Sequence, residues 1–222
     1  MSVSLPLFPL GTVLFPGLVL PLHIFEDRYK QLIRDLLEEE EPRRFGVIAI
    51  RSGRETGVDG ISALHDVGCT ATVREIAEVS DGQFDIVTVG TDRFRVRNLG
   101  EAQPYLTGEV EMLDEPTGDD AAARLAAATV QRAFRAYLNV LADRGAAVIS
   151  VPDLPDEPIL LSYLVAASMI TELANRQTLL AEPDAVSRLS AENALLARET
   201  AILRELGSTP APDLRSSPYN PN

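Results

Sequence analysis

The sequence predicts an α+β protein in which a small, partly closed β-barrel with one helix is followed by a helical bundle. Up to about residue 113 the apolar residues form short runs or alternate with polar ones, as in strands, whereas from about residue 119 they repeat at helical spacing. We therefore divide the chain into a barrel lobe (1–116), a bundle lobe (117–206) and a disordered tail (207–222), which contains four prolines among Ser, Gly and Asn.

The barrel lobe begins with an apolar segment that turns repeatedly. Strands at 3–8 and 18–22 are separated by a Phe-Pro-Gly turn at 15–17. A helix follows, with Glu26 and Asp27 favourably placed in its first turn, and it ends before Pro42. Its predicted apolar face consists of Phe25, Tyr29, Leu32, Ile33, Leu36 and Leu37.

Further strands complete the barrel. Residues 45–50 are typical of a buried strand, and residues 51–60 of a polar, Gly-rich loop. The strands predicted at 67–79 and 83–90 are joined by a tight turn at Asp81-Gly82, because this dipeptide favours hairpins.

Two alternating segments at 92–99 and 105–113 are predicted as the last strands of the barrel. In the first, alternation places Phe94 and Val96 on one face. The other face then carries three arginines, Arg93, Arg95 and Arg97.

Four helices are predicted in the bundle lobe. The first spans about 119–143. The second, from Pro158 to Ile170, is apolar nearly all round and should be the most buried, with Asp156 or Glu157 as its cap. The other two helices are expected at about 172–181 and 184–206.

The charge balance constrains the partners. The formal net charge of −13 repels phosphate backbones and anionic membranes, which argues against nucleic acid or lipid as the main partner. Cys69 is the single cysteine, so the chain cannot form an internal disulfide, which fits a reducing compartment.

The apolar N-terminal segment predicts neither a membrane helix nor a secretion signal. Four prolines between residues 6 and 21 each remove a backbone donor, which a membrane helix would need. A secretion signal would need a basic start and a cleavage site of small residues, and neither is visible. We therefore predict a cytoplasmic protein that does not use a membrane as its partner.

Several segments resemble one family. The opening LPLFPL at 5–10 and VLFPGLVLPLHIFEDRY at 13–29 are similar to the start of the Lon protease N-terminal (LON) domain. VGTDRFRV at 89–96 resembles a later Gly-x-x-Arg-Phe strand of that domain. In the helical half, DEPILL at 156–161, ANRQTLL at 174–180 and SRL at 187–189 follow the bundle pattern of the family.

The resemblance implies a PUA-like pseudo-barrel followed by a helical bundle. In full-length Lon proteases this region helps to recognise protein substrates and precedes an ATPase module and a protease module. Because the chain ends soon after the bundle, we expect a free-standing relative that binds exposed segments of other proteins, as an adaptor or in quality control. The alternative that the resemblance leaves open is small-molecule or RNA binding on the barrel.

The lysine content argues against catalysis. Lon-type proteolysis needs a serine activated by a lysine, and ATP hydrolysis needs a Gly-rich loop that ends in Lys-Ser or Lys-Thr. Lys30 is the only lysine of the chain, and no glycine loop precedes it. Arginine cannot replace a basic lysine because the guanidinium stays protonated. We therefore predict a protein without enzymatic activity or cofactor.

The two histidines are weak candidates for chemistry. Neither His23 nor His65 lies near a Gly-x-Ser-x-Gly motif, so we interpret both as packed or surface residues. A metal site could use only His65 and Cys69 as soft ligands, with Asp59 and Asp66 nearby, whereas structural zinc usually takes four paired ligands. We predict no metal.

The arginine stripe of residues 93, 95 and 97 is the feature that could favour RNA, because some PUA-like barrels bind it. We interpret the stripe instead as a solvated strand face paired with carboxylates, since the chain contains 33 Asp and Glu.

The loop at 51–60 is the best candidate for a binding edge. Arg51, Arg54 and Glu55 are polar side chains on a Gly-bounded connection, and binding residues often lie on such loops. An ordinary hairpin loop is the alternative interpretation. A crevice between barrel and bundle is the second candidate, because concave sites favour domain junctions.

Overall fold

The strands and helices follow the predicted order along the chain, except for a short strand at Ile61–Leu64 that was not predicted. The computed structural model describes residues 2–53, 61–100, 104–144 and 154–208. The strands are β1 (Ser2–Leu10), β2 (Val19–Ile24), β3 (Arg44–Gly53), β4 (Ile61–Leu64), β5 (Val67–Glu78), β6 (Phe84–Leu99) and β7 (Thr107–Met112). The helices are α1 (Asp27–Glu38), α2 (Asp120–Asp143), α3 (Pro158–Ser168), α4 (Leu173–Ala181) and α5 (Ala185–Ser208), and a short 3₁₀ turn spans Ser80–Gly82.

Five strands close into a barrel in the order β1-β7-β6-β5-β3, and a parallel pairing of β1 with β3 completes the ring. Strand β4 extends the sheet from β3, and β2 pairs with the part of β6 that β7 does not cover. The predicted α+β architecture, a pseudo-barrel with one helix followed by a helical bundle, is confirmed.

The turn at Asp81-Gly82 is confirmed by its backbone conformation. Asp81 has φ 62° and Gly82 has φ 67°, the left-handed region that a tight hairpin turn requires. The turn connects β5 directly to β6, which therefore form an antiparallel hairpin.

The segments predicted separately at 83–90 and 92–99 form one continuous strand, β6, of 16 residues. Within this strand the backbone of Phe15 lies so close to Gly90 that a Cβ atom there would be 2.3 Å from the Phe15 carbonyl oxygen, so the position requires glycine. Next to it the pairing with β5 shifts register between Cys69 and Ala71, as in a β-bulge. Beyond the bulge Arg93 and Phe94 lie on opposite faces, and both are buried, because Phe94 packs inside the barrel while the segment at Glu115 and the end of α4 cover Arg93.

The prediction for α1 is wrong at its two ends. Phe25 lies two residues before the first helical residue, and Glu26 has the extended conformation of an N-cap. Phe25 is therefore outside the helix and 52% exposed, and Leu37 at the other end is 42% exposed. The four apolar residues between them are buried against the barrel, as predicted: Tyr29, Leu32, Ile33 and Leu36.

Local capping fixes the starts of two bundle helices. The Asp119 side chain accepts a hydrogen bond from the amide of Ala122 at 2.8 Å at the start of α2. Of the two caps predicted for α3, the structure uses Glu157, which accepts from the amides of Ile159 and Leu160. Pro158 occupies the first turn, as predicted.

One apolar cluster includes residues of both the barrel and the bundle. Val13, Phe15, Ala49 and Val67 from the barrel side pack with the buried faces of α2, α3, α4 and α5. The division into lobes at residue 116 stays a prediction, and most of the predicted tail, 209–222, lies outside the described residues. No helix within the described parts of the chain is long and apolar enough to cross a membrane.

Candidate functional site

Strand β2 exposes an apolar surface. Its side chains alternate, so that Val19, Pro21 and His23 face solvent while Ile24 is buried. Val19 is 62% exposed, and Phe25, just after the strand, is 52% exposed. We use the name β2 surface for these four exposed side chains, Val19, Pro21, His23 and Phe25. The name also covers an apolar groove and a concave sheet face that adjoin them.

One edge of β2 is unpaired. The strand pairs with β6, and among the described residues no strand lies along its other edge. The amide of Gly90 on β6 donates to the carbonyl of Leu18 at 2.8 Å, so the backbone of Leu18 and of every second residue after it faces β6. The backbone groups of Val19 and His23 therefore point away from β6, and Pro21 has no N–H to offer there.

A shallow apolar groove lies between the end of β1 and this edge. Its wall and floor are formed by Phe8, Pro9, Leu10, Leu22, His23, Ile24, Phe25, Glu26 and Tyr29. The floor is well packed, because the rings of Phe8 and Tyr29 stack with centroids 4.0 Å apart. Arg28 lies over the Tyr29 ring at 4.4 Å and pairs with Glu26 at 3.0 Å, so the groove sits on a fixed base.

A second concave face lies on the neighbouring strands. In one cross-strand row Glu75, Val87 and Pro21 are opposite one another on β5, β6 and β2, and in the next row Ala77, Asp85 and His23 are opposite one another. These six residues, with Leu22, Ile76 and Ile86, line the depression. The face is thus mainly apolar with two carboxylates.

His23 links the groove to this face. Its Nδ1 lies 2.7 Å from Oδ1 of Asp85, and its ring is 6.2 Å from that of Phe25. Asp85, and to a smaller extent Gln83, raise the pKa of His23 because they hydrogen-bond to its ring. The charge of the β2 surface therefore depends on pH close to neutrality.

The residues predicted for the binding loop lie elsewhere. Strand β3 continues to Gly53, so Arg51 belongs to the strand and not to the loop, and its side chain is exposed. Burial lowers the pKa of half-buried His65, and the positive charge of Arg51 lowers it further. Arg51 does not line the groove or the concave face described above. Arg54 and Glu55 fall outside the described residues, so a role for this loop stays a prediction.

The interpretation of the arginine stripe as a solvated face is wrong for its first member, although that residue does pair with a carboxylate. Arg93 is 1% exposed and pairs with Glu115 through Nε. Its Nη1 donates to the carbonyls of Leu180 at 2.7 Å and Glu182 at 2.5 Å, and its Nη2 donates to that of Asp114 at 3.2 Å. Only Arg97 fits the prediction, being exposed and paired with Glu111.

The junction of barrel and bundle is filled where these side chains meet. The Tyr163 hydroxyl donates to Glu115, and the Arg188 guanidinium lies over the Tyr163 ring at 4.1 Å. Arg188 donates to the hydroxyl of Ser162 at 2.9 Å and is itself fully buried. Burial raises the pKa of Tyr163, so the hydroxyl remains a donor. The predicted crevice is closed at this point by a buried polar network.

Two groups considered for chemistry, the lysine and the cysteine, are held in an ion pair and in the core. The Lys30 ammonium pairs with Asp27 at 2.6 Å on the surface of α1. Cys69 is fully buried, and burial raises the pKa of its thiol. Within residues 2–53, 61–100, 104–144 and 154–208, no group of three or more His, Cys, Asp or Glu could hold a metal ion.

Sequence reasoning missed Val19 and Phe25, because a continuous apolar run favours buried strands. One signal could have located the surface. A proline within a strand is confined to sheet edges, so Pro21 already indicates that β2 has an unpaired side.

Comparisons with known proteins place this fold in context. The profile of the family described as the ATP-dependent protease La (LON) substrate-binding domain matches residues 4–198. The Lon protease of Anaeromyxobacter dehalogenans is 28% identical over 202 residues, which cover 90% of this chain and 24% of the relative. Lon protease 2 of Myxococcus xanthus is 26% identical, with the same coverage of each chain. The chain thus spans about a quarter of the length of these curated relatives.

Two solved structures are similar to this chain, and each match covers nearly all of the solved chain. A Lon N-terminal domain protein from Xanthomonas campestris is 27% identical with a TM-score of 0.62, and the match covers 88% of this chain and 98% of that one. The N-terminal domain of a Mycobacterium avium complex Lon protease has a TM-score of 0.63 over 90% of this chain and 98% of that one. At 19% identity the second shows likeness of fold alone.

Proposed function

The chain belongs to the LON substrate-binding domain family, and we propose that it binds exposed apolar segments of other proteins at the β2 surface. The observation that carries this proposal is the exposure of Val19 at the start of the half-paired strand β2 and of Phe25 just after its end, where Phe25 lines the apolar groove. Contiguous exposed apolar residues on a folded protein commonly mark sites of protein interaction.

The energetics favour apolar ligands. Full burial of a side chain such as Val or Phe contributes about 1.5–3 kcal/mol. Val19 and Phe25 are roughly half exposed in the free chain, so covering each would contribute about 1 kcal/mol. Because Tyr29 and Phe8 hold the groove floor in a stacked arrangement, little ordering entropy opposes binding on this side.

An extended ligand could use the backbone as well. The amides and carbonyls that β2 directs away from β6 can pair with a segment in strand conformation, as in β-strand addition. Since Pro21 contributes no donor there, such pairing would be short and tolerant of sequence. Tolerance of this kind suits a module that meets many unfolded segments.

We further propose that the chain is not itself an enzyme, and that it serves as an adaptor or quality-control module in the cytoplasm. The single lysine is held in a surface ion pair on α1 and has no glycine loop before it. Incubation with casein, with and without ATP, should give no cleavage and no phosphate release. Turnover by the unmodified chain would contradict this part of the proposal, and the Lys30→Gln variant would then show whether the single lysine takes part.

Binding can be tested with labelled β-casein, which exposes apolar segments without denaturant. Replacing both Val19 and Phe25 by Ser should weaken binding by about ten-fold or more, from about 1 kcal/mol at each site. The matched control is Leu125→Ser, since Leu125 is 70% exposed on α2, away from the β2 surface. Equal affinities for the double variant, the control and the unmodified chain would contradict the location of the site.

A further inference from the structure

The concave face of the β2 surface presents two carboxylates among its apolar residues. Glu75 and Asp85 are both exposed and lie in adjacent cross-strand rows of β5 and β6. Residues in this diagonal relation have Cβ atoms about 7–8 Å apart, which is within reach of one long side chain lying between them. A single cationic group of a ligand could therefore approach both.

No lysine or arginine lines this face or the adjoining groove among the described residues. Arg28, beside the groove, is already paired with Glu26 and lies over Tyr29. Two arginines, Arg43 and Arg74, line a neighbouring depression at the end of α1, which shares Ile76 with this face and also contains Glu41. Among the residues that line the concave face, His23 is the one group that can carry a positive charge, and it pairs with Asp85.

The net charge of the whole chain also favours a cationic ligand. The formal net charge is −13 at pH 7. A field of this sign attracts cationic segments and repels anionic ones before contact is made.

From this charge complementarity we propose that the preferred ligand of the β2 surface is an apolar polypeptide segment that carries a Lys or Arg side chain, which pairs with Glu75 and Asp85. The inference rests on the proposed function, because it names the class of segment that the same surface selects. Apolar side chains of the ligand cover Val87, Pro21 and Ala77, while its cation lies over the two carboxylates.

Three labelled peptides provide the test. They share one Val- and Leu-rich sequence and differ at a central position, which is Lys, Gln or Glu. Fluorescence anisotropy at low ionic strength should show the Lys peptide binding about three- to five-fold more tightly than the Gln peptide, as expected for exposed ion pairs, and the Glu peptide binding most weakly. Raising the salt concentration to about 0.5 M should remove most of the difference through screening.

A variant and a matched control locate the effect. Glu75→Gln with Asp85→Asn should make the Lys and Gln peptides bind equally, while Glu205→Gln, an exposed carboxylate on α5, should leave the preference unchanged. Circular dichroism of both proteins checks that they are folded.

The possible results separate the two proposals. Equal binding of all three peptides to the unmodified chain, or a preference that survives in the double variant, overturns the cation preference and leaves apolar binding intact. Failure of every peptide to bind overturns the proposed function, and the preference with it.

Discussion

Arg93 is the residue that ties the barrel to the bundle most directly. Its guanidinium is buried, pairs with Glu115 and donates to backbone carbonyls at the end of α4. A buried charge is tolerated only when its donors are satisfied, and here every nitrogen of the guanidinium has an acceptor. The side chain therefore specifies how the end of α4 sits on β6.

We expect Arg93→Ala to lower the free energy of unfolding by about 3 kcal/mol, because it removes a buried guanidinium and leaves three backbone carbonyls and half-buried Glu115 without its hydrogen bonds. Arg97→Ala is the matched control: its guanidinium is half exposed and paired with Glu111, so the loss should stay below about 1 kcal/mol. Urea denaturation followed by circular dichroism measures both. Similar losses in the two variants would show that burial does not set the contribution of Arg93.

Glu192 is a buried carboxyl without a hydrogen-bond partner for either oxygen among the described residues. Burial raises its pKa well above the ordinary value of 4.5, and the charge of Arg188 offsets this only in part. The folded chain thus holds Glu192 protonated at pH values where the unfolded chain has released the proton. The contribution of this neutral, buried carboxyl to the free energy of unfolding is complete below about pH 4.5. It is lost as the pH rises toward the pKa that Glu192 has in the folded chain.

We predict that Glu192→Gln, which stays neutral, gains stability relative to the unmodified chain as the pH rises. Above about pH 4.5 the difference should grow by up to about 1.4 kcal/mol per pH unit, until the folded pKa is reached. Unfolding free energies from urea titrations between about pH 5 and 8 provide the measurement, with exposed Glu205→Gln as the control. A difference that does not change with pH would mean that Glu192 is ionised in the folded state.

At the scale of single elements, α3 depends on its first turn. Glu157 accepts hydrogen bonds from two amides that the helix itself cannot satisfy, and Pro158 needs no acceptor. The helix then buries Leu161, Tyr163 and Val165 in the core. Its start is therefore fixed by side chains adjacent in sequence.

Replacing Glu157 by Ala should destabilise the chain by about 1 kcal/mol, the usual effect of losing an N-cap. Asp156→Ala, the neighbouring acidic residue that the sequence offered as the other cap, should change stability by a few tenths at most, because Asp156 makes no cap hydrogen bond. Thermal unfolding of the two variants measures this contrast. If Asp156→Ala proved the more destabilising, the assignment of the cap would be wrong.

Elements set by local chemistry could be predicted closely from the sequence. The start of α2 depends on Asp119 and that of α3 on Glu157 and Pro158, all of them adjacent to the amides they cap or to the first turn. The first half of β6 pairs with β2, which is distant in sequence, and the second half with β7, and the local pattern around Gly90 does not show that the two halves form one strand. Pairing between remote segments leaves no local signature, so two strands were predicted where one exists.

The candidate site was harder to predict for the same reason. Whether Val19 faces solvent depends on which strands pair with β2, and nothing in the run of apolar residues around it specifies this. The burial of Arg93 likewise depends on Glu115 and on the end of α4: the alternating pattern placed it correctly opposite Phe94 but could not show that the bundle covers that face. The loop residue Arg51 was chosen for its polarity, whereas the candidate surface is apolar.

At the scale of the whole molecule, barrel and bundle share their core. Phe15 packs near Tyr163, with ring centroids 6.2 Å apart, and Val67 belongs to the same apolar cluster as the buried faces of the bundle helices. The Gln177 side chain on α4 also donates to the carbonyl of Val67 at 2.8 Å. Separating the two regions would expose this cluster and remove the carbonyls of Leu180 and Glu182 from Arg93.

We therefore expect the chain to unfold in one cooperative transition, with calorimetric and van't Hoff enthalpies that agree. The variant Leu161→Ala, which removes a fully buried side chain from α3, should lower stability by about 2–5 kcal/mol and shift the entire transition without splitting it. Differential scanning calorimetry of the unmodified chain and this variant makes the measurement. Because cooperativity requires that barrel and bundle lose their structure together, a second transition in either protein, or a shift confined to part of the heat absorption, would show that the shared core does not couple them.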